Sequence, residues 1–184
     1  MDETTGRTTP RPAGGPSRLT RAVVEIEAHV AAGGWDQPPR LFALVPTVDL
    51  VAAQPQLAEA LGVGVLPGHL TPVEQEDLPP HSSLEELLSG IAWPPEVAGT
   101  AVAVERLMLP PTAEETLPED ASEAARVAAG HPDRQEVRLA VAVLRDGSRE
   151  CAVRMRAADR DDAVLSGADL VPGLAQALAA TLDD

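Results

Sequence analysis

The stretch from Val137 to Met155, VRLAVAVLRDGSRECAVRM, decides the fold. Val137, Leu139, Val141 and Val143 alternate along its first half, as do Cys151, Val153 and Met155 along its second. Side chains of period two mark β-strands, and residues paired across two strands share a face. A two-residue turn at Asp146-Gly147 would set Val141 against Ala152 and Leu139 against Arg154, mixing apolar with charged groups. A three-residue loop, Arg145-Asp146-Gly147, instead pairs Val141 with Cys151, Leu139 with Val153 and Val137 with Met155. It also places Gly147 at the left-handed position of a type I turn with a G1 bulge. Burial specifies register, so the second pairing is expected.

Upstream, Ser17 is placed to cap a helix on which Leu19, Ala22, Val23, Ile26 and Val30 recur at helical spacing. Gly33-Gly34 stops it. Arg21/Glu25 and Glu25/His29 are i,i+4 neighbours on its wetter side. Leu41 to Val45 is a short continuous apolar run ended by Pro46, which suits a strand buried on both faces. Residues 48–61 have a helical pattern broken at Pro55, and 62–81 read as mostly loop. Ser82 or Ser83 caps a helix carrying Leu84, Leu87, Leu88 and Ile91, with Ser82 and Glu85 in capping-box spacing. Val97 to Leu109 is a further strand. Asp169 and Pro172 open a last helix with Leu170, Leu174, Leu178 and Leu182 as its stripe.

The order helix, strand, helices, strand, hairpin, helix predicts an α+β fold. It implies a small, mainly antiparallel sheet of about four strands with helices packed on one face. Residues 1–16 read as a disordered tail and 17–184 as a single domain. An acidic stretch at 110–132 reads as an exposed excursion, with helical turns around Ala121 to Ala129.

Composition closes several doors. The 184 residues carry 29 acids against 14 bases, a formal charge of -15, spread over many loops. Such a surface repels phosphate backbones and anionic membranes, so neither nucleic-acid binding nor membrane insertion is expected. No apolar run approaches the ~18 residues of a membrane span, and the first residues lack a signal-peptide pattern. A single cysteine, Cys151, fits a reducing compartment, and a cytoplasmic location is expected. All 14 bases are arginine. Without lysine there is no Walker A loop, Schiff-base lysine or Ser-Lys dyad. The scarcity of residues with AT-rich codons points to a high-GC bacterial source.

Few residues gather chemistry. His131, Asp133 and Arg134 place an imidazole, a carboxylate and a guanidinium just before a strand. They could act as a base, its orienter and an anion ligand, or be the polar groups of a Pro132 turn. Glu105 and Arg106 are neighbours in a strand, so one of them points toward a packed face and needs a partner there, unless both reach water near the strand end. His69 and His81 flank Glu74, Glu76 and Asp77 without a ligand spacing, so no metal and no cofactor are expected. Cys151 falls on the apolar face of the hairpin, where a thiol is inert. Trp35 and Trp93, both beside Pro-Pro pairs, are binding anchors or core lids.

Read together, RAVVEIE (21–27), GWDQPPRLFALV (34–45), VEQE (73–76), IAWPPEVAG (91–99), VER (104–106), HPDR (131–134) and DLVPGL (169–174) resemble a family of uncharacterised actinobacterial proteins. The resemblance covers residues 18–182 apart from the acidic excursion, and it implies no activity. The order of elements is also similar to the α+β fold of secretion-chaperone-like proteins, which implies protein binding. The reading leans away from an enzyme. It favours a non-enzymatic protein-binding or chaperone-like accessory domain with an unknown protein partner or a homodimer. The alternative is a small enzyme or small-anion binder using His131, Asp133 and Arg134, with Glu105 and Arg106.

Overall fold

The computed structural model describes residues 15–60, 68–78, 80 and 83–183. Expectations that fall on residues 1–14, Leu61, His81 and Ser82 lie outside the described residues. Helix α1 (Arg18–Ala31) starts at Ser17, whose hydroxyl accepts from the Thr20 N–H, and buries Leu19, Ala22, Val23, Ile26 and Val30. Strand β1 (Arg40–Pro46) follows, then the short helices α2 (Thr47–Ala53) and α3 (Leu57–Ala60) on either side of Pro55. Strand β2 (Leu70–Glu74) precedes helix α4 (Leu84–Ser89), capped by Ser83 through the Glu86 N–H. Strand β3 (Gly99–Met108) leads into α5 (Pro111–Glu114) and α6 (Ala121–Gly130), neither of which has a buried residue. Strands β4 (Gln135–Leu144), β5 (Arg149–Met155) and β6 (Leu165–Gly167) come next, with two short 3-10 turns between β5 and β6. Helix α7 (Pro172–Ala180) closes the chain.

The strands form one antiparallel sheet in the order β2-β1-β3-β4-β5-β6. In the hairpin Val137 pairs with Met155, Leu139 with Val153 and Val141 with Cys151, the register that burial of one apolar face demands. Gly147 has φ 83°, the left-handed conformation that its loop requires.

Six strands replace the expected four, and the two additions are the edges. β2 lies in the segment read as loop because Pro72 argues against a central strand; on an edge its missing N–H costs no ladder bond. β6 is three residues long, too short for alternation to register. The last helix begins later than expected. Asp169 does not cap it but pairs with Arg149 at 2.6 Å, and Leu170 precedes it, exposed.

The expectation of helices on one face is overturned, because the sheet has two packed faces. α1 covers the first, where Phe42, Leu44, Ala101, Ala103, Ala140, Ala142 and Ala152 meet its apolar stripe. α4 and α7 cover the second, over Leu41, Val102, Val141, Cys151 and their neighbours. The alternation of Val and Leu with Ala in β4 looks one-sided only if alanine counts as neutral. Here the alanine row is a buried face that lets the larger side chains of α1 sit close. Among the described residues no helix is long and apolar enough to cross a membrane.

Candidate functional site

One end of the first face is charged. Glu105, Arg138 and Arg154 stand side by side across β3, β4 and β5, since Glu105 pairs with Arg138 and Arg138 with Arg154 in the ladder. Arg138 is 1% exposed and Arg154 3%. Two guanidiniums opposed within a sheet need carboxylates. Glu27 of α1 grips Arg154 with both oxygens, at 2.5 Å and 2.9 Å, and is itself 4% exposed. Asp159 and Asp161, from the turns after β5, add bonds to Arg154 at 3.0 Å and 2.8 Å. Glu105 accepts from Arg138 at 3.0 Å and from the Asp36 N–H at 2.8 Å.

The Gly33-Gly34 end of α1 makes that second contact possible. Gly34 and Asp36 both have positive φ, at 81° and 67°, which folds the chain back over the sheet. The Gln37 amide holds the bend by donating to the Val30 and Gly34 carbonyls. Trp35 is thereby laid on the charged row, half-buried, with the Arg138 guanidinium 4.4 Å and the Arg156 guanidinium 5.5 Å from its ring centre. Its indole N–H donates to Asp159 at 2.9 Å. Arg156 is held in turn by both Asp36 oxygens and by Glu136. Arg138 also donates to the Gly34 carbonyl. Among the described residues its Nε is the one buried side-chain polar atom without a hydrogen bond, and the indole covers that guanidinium instead.

Six carboxylates (Glu27, Asp36, Glu105, Glu136, Asp159, Asp161) thus surround three guanidiniums and one indole. The Trp35 N–H, with Arg154 adding to it, holds the Asp159 carboxyl below its usual range; the hydrogen bonds from Arg156 do the same for Asp36. A depressed folded value means that the unfolded chain binds more protons. The stability these groups add is present above the ordinary carboxylate range and is lost as pH falls through their lower folded values. Chemical denaturation between about pH 6 and pH 3 should show stability falling toward the acid end. W35F, which lacks the N–H, should flatten part of that fall; an unchanged profile would remove Trp35 as the cause.

The residues singled out from sequence are not brought together. His131 closes α6 and its Nδ1 accepts from the Asp133 N–H at 3.1 Å, while Arg134 donates to the His131 carbonyl at 3.4 Å. This is a local exposed turn. Arg134 borders a cleft with Glu136 and Arg156 of the charged row. Glu105 belongs to the row, whereas Arg106 points to the second face, opposite Val137. Trp93 is buried in the second core with its N–H on the Thr181 hydroxyl at 3.1 Å. Cys151 lies in the same core, its thiol pushed up to about 11 by burial and by Glu150. Among the described residues no three His, Cys, Asp or Glu side chains converge as metal ligands would.

A family model for PPA1309-like proteins matches residues 19–183. The chain belongs to the PPA1309-like protein family. The match runs from the first turn of α1 to beyond α7, so the whole charged row lies inside the PPA1309-like region. No curated protein and no solved structure matches the chain.

Within this PPA1309-like fold, the sequence reading reached Trp35 and Glu105 but not Glu27, Asp36, Glu136, Arg138, Arg154, Arg156, Asp159 or Asp161 as members of the row. Two signals were present. Glu27 lies four residues after Val23 and three before Val30, on the apolar stripe of α1. The hairpin register that aligns Val141 with Cys151 also aligns Arg138 with Arg154.

Proposed function

We propose that this protein is a non-enzymatic, protein-binding accessory domain of chaperone-like type, acting in the cytoplasm, whose contact surface is centred on Trp35. The carrying observation is the clamped indole: a half-exposed aromatic ring fixed by two guanidiniums and one carboxylate. Trp and Arg dominate binding hot spots because they offer large contact area, and an anchor already held in place loses little freedom on binding. Leu107, 42% exposed, shares a small cleft with Trp35, Glu105, Arg106 and Glu136. An apolar centre edged by Glu105 and Glu136, on a chain of formal charge -15, suits a partner that presents an apolar side chain flanked by basic ones.

The sheet edges lend less support to a partner or a second copy adding a strand. β2 carries Pro72 and β6 spans three residues, both devices that blunt edge pairing. The small-enzyme or anion-binding reading has less support too, since His131, Asp133 and Arg134 bond within their own turn and Arg156 is already paired with Asp36 and Glu136.

A photoreactive amino acid at Leu107, introduced in the native cell, tests the proposal. The expected result is a crosslink to one defined protein that is absent when the probe sits at exposed Val127 of α6. Trp35→Ala should abolish that crosslink. Equal crosslinking from both positions, or none from Leu107, would sink the proposal, and self-crosslinking alone would reassign the surface to a homodimer.

A further inference from the structure

On the second face α4 and α7 do not meet along their whole length. Leu84 and Leu88 of α4, Leu139 of β4, and Leu174 and Ala177 of α7 line an open cavity of ≈ 340 Å³ between them. That volume is within the ~300–1,000 Å³ usual for small-ligand sites. Its walls are aliphatic, and its charged groups are Arg106 and Glu85. The two differ in their ties. Glu85 takes a hydrogen bond from its own backbone N–H, and this, with help from Ser83 and Arg106, holds its carboxyl below the usual range. Arg106 makes no ion pair among the described residues, whereas Arg138, Arg154 and Arg156 are each bound by carboxylates.

We infer that the α4–α7 groove binds an aliphatic monocarboxylate, with the chain between the two helices and the carboxylate on the Arg106 guanidinium. An aliphatic slot whose guanidinium makes no ion pair among the described residues selects against each alternative on a separate ground. A short acid gains nothing from the walls and a long-chain alcohol gains nothing from Arg106, while a long-chain amine meets a like charge at Arg106 and must share Glu85 with it. Glu85 competes for the same guanidinium and so limits the affinity. The inference goes beyond protein binding, because it assigns a small-molecule site on the face away from α1.

Gly173 supplies a clean block. It lines the groove in the first turn of α7, and a Cβ built there meets nothing within 4 Å. Gly173→Leu therefore adds bulk to the groove wall from a position where the Cβ itself is unhindered. The experiment is an NMR titration of the full chain with octanoate, octan-1-ol, octylamine and acetate, following the methyl groups of Leu88, Leu174 and Ala177. Octanoate should shift these methyls and bind at least ~10-fold more tightly than octan-1-ol or octylamine, about one charge-assisted hydrogen-bond pair; acetate should do nothing. Arg106→Gln should weaken octanoate by the same factor and leave octan-1-ol unchanged. Gly173→Leu should abolish both while the protein melts as wild type does. The inference fails if wild type shows no octanoate shifts at millimolar concentration, if octylamine binds as well, or if Arg106→Gln leaves octanoate affinity intact.

Discussion

Replacing Arg154 by alanine should cost about 3–5 kcal/mol, a large share of the ~5–15 kcal/mol that holds a domain of this size together. Arg154 is the sole ion partner of Glu27 among the described residues, and both sit out of water between α1 and β5. Truncation leaves a buried carboxylate with nothing opposite it, so the penalty is that of an uncompensated charge rather than of a lost contact. The double variant E27L/R154M separates the two. It fills similar volume with apolar groups and should recover most of the loss, since a buried pair exchanged for well-packed hydrophobes is often neutral. Urea denaturation of the wild type, the two single variants and the double variant forms the cycle. Near-additive losses would show that Glu27 and Arg154 do not depend on each other.

Gly99→Ala should be the most damaging methyl addition at any glycine of the sheet, about 2–3 kcal/mol by overpacking. Gly99 opens β3 and pairs on one side with Leu44 and on the other with Leu144, where three central strands converge. A Cβ there would lie 2.3 Å from the Val143 carbonyl oxygen, 2.5 Å from Leu144 Cδ2 and 3.0 Å from Leu144 Cα. Two of those three atoms are backbone and cannot swing aside, so the ladder itself must give. Gly130, at the end of α6, is the control. A Cβ there meets nothing within 4 Å, and Gly130→Ala should be neutral or stabilise by up to about 1 kcal/mol. Equal denaturation midpoints for the two variants would show that the crowding at Gly99 is relieved by small shifts.

The elements with a strong period are legible in the sequence alone. The Ser17 cap and apolar stripe of α1, the doubly buried run from Leu41 to Leu44 and the Gly147 hairpin all follow from local rules. What was not readable depends on partners distant in sequence. Pro72 is acceptable only because β2 is an edge, and being an edge is a property of the assembled sheet. Ala140, Ala142 and Ala152 count as a core face only once α1 lies on them. The charged row behaves likewise. Arg138 and Arg154 are visibly opposed in the hairpin, but Glu27 is 127 positions from Arg154 and only the packing of α1 joins them. Trp35 could be suspected as an anchor, yet its orientation rests on the backbone turn at Gly34 and Asp36.

The two tryptophans report on different halves of the molecule. Trp35 lies over the α1 face and Trp93 within the α4–α7 face, and the chain contains no tyrosine to obscure their emission. Trp93 is sealed in an apolar setting and should fluoresce blue, while Trp35, half-buried beside two guanidiniums, should emit further to the red. A single-tryptophan variant of each kind therefore turns the question of whether the two layers separate in one step or two into a comparison of two spectra.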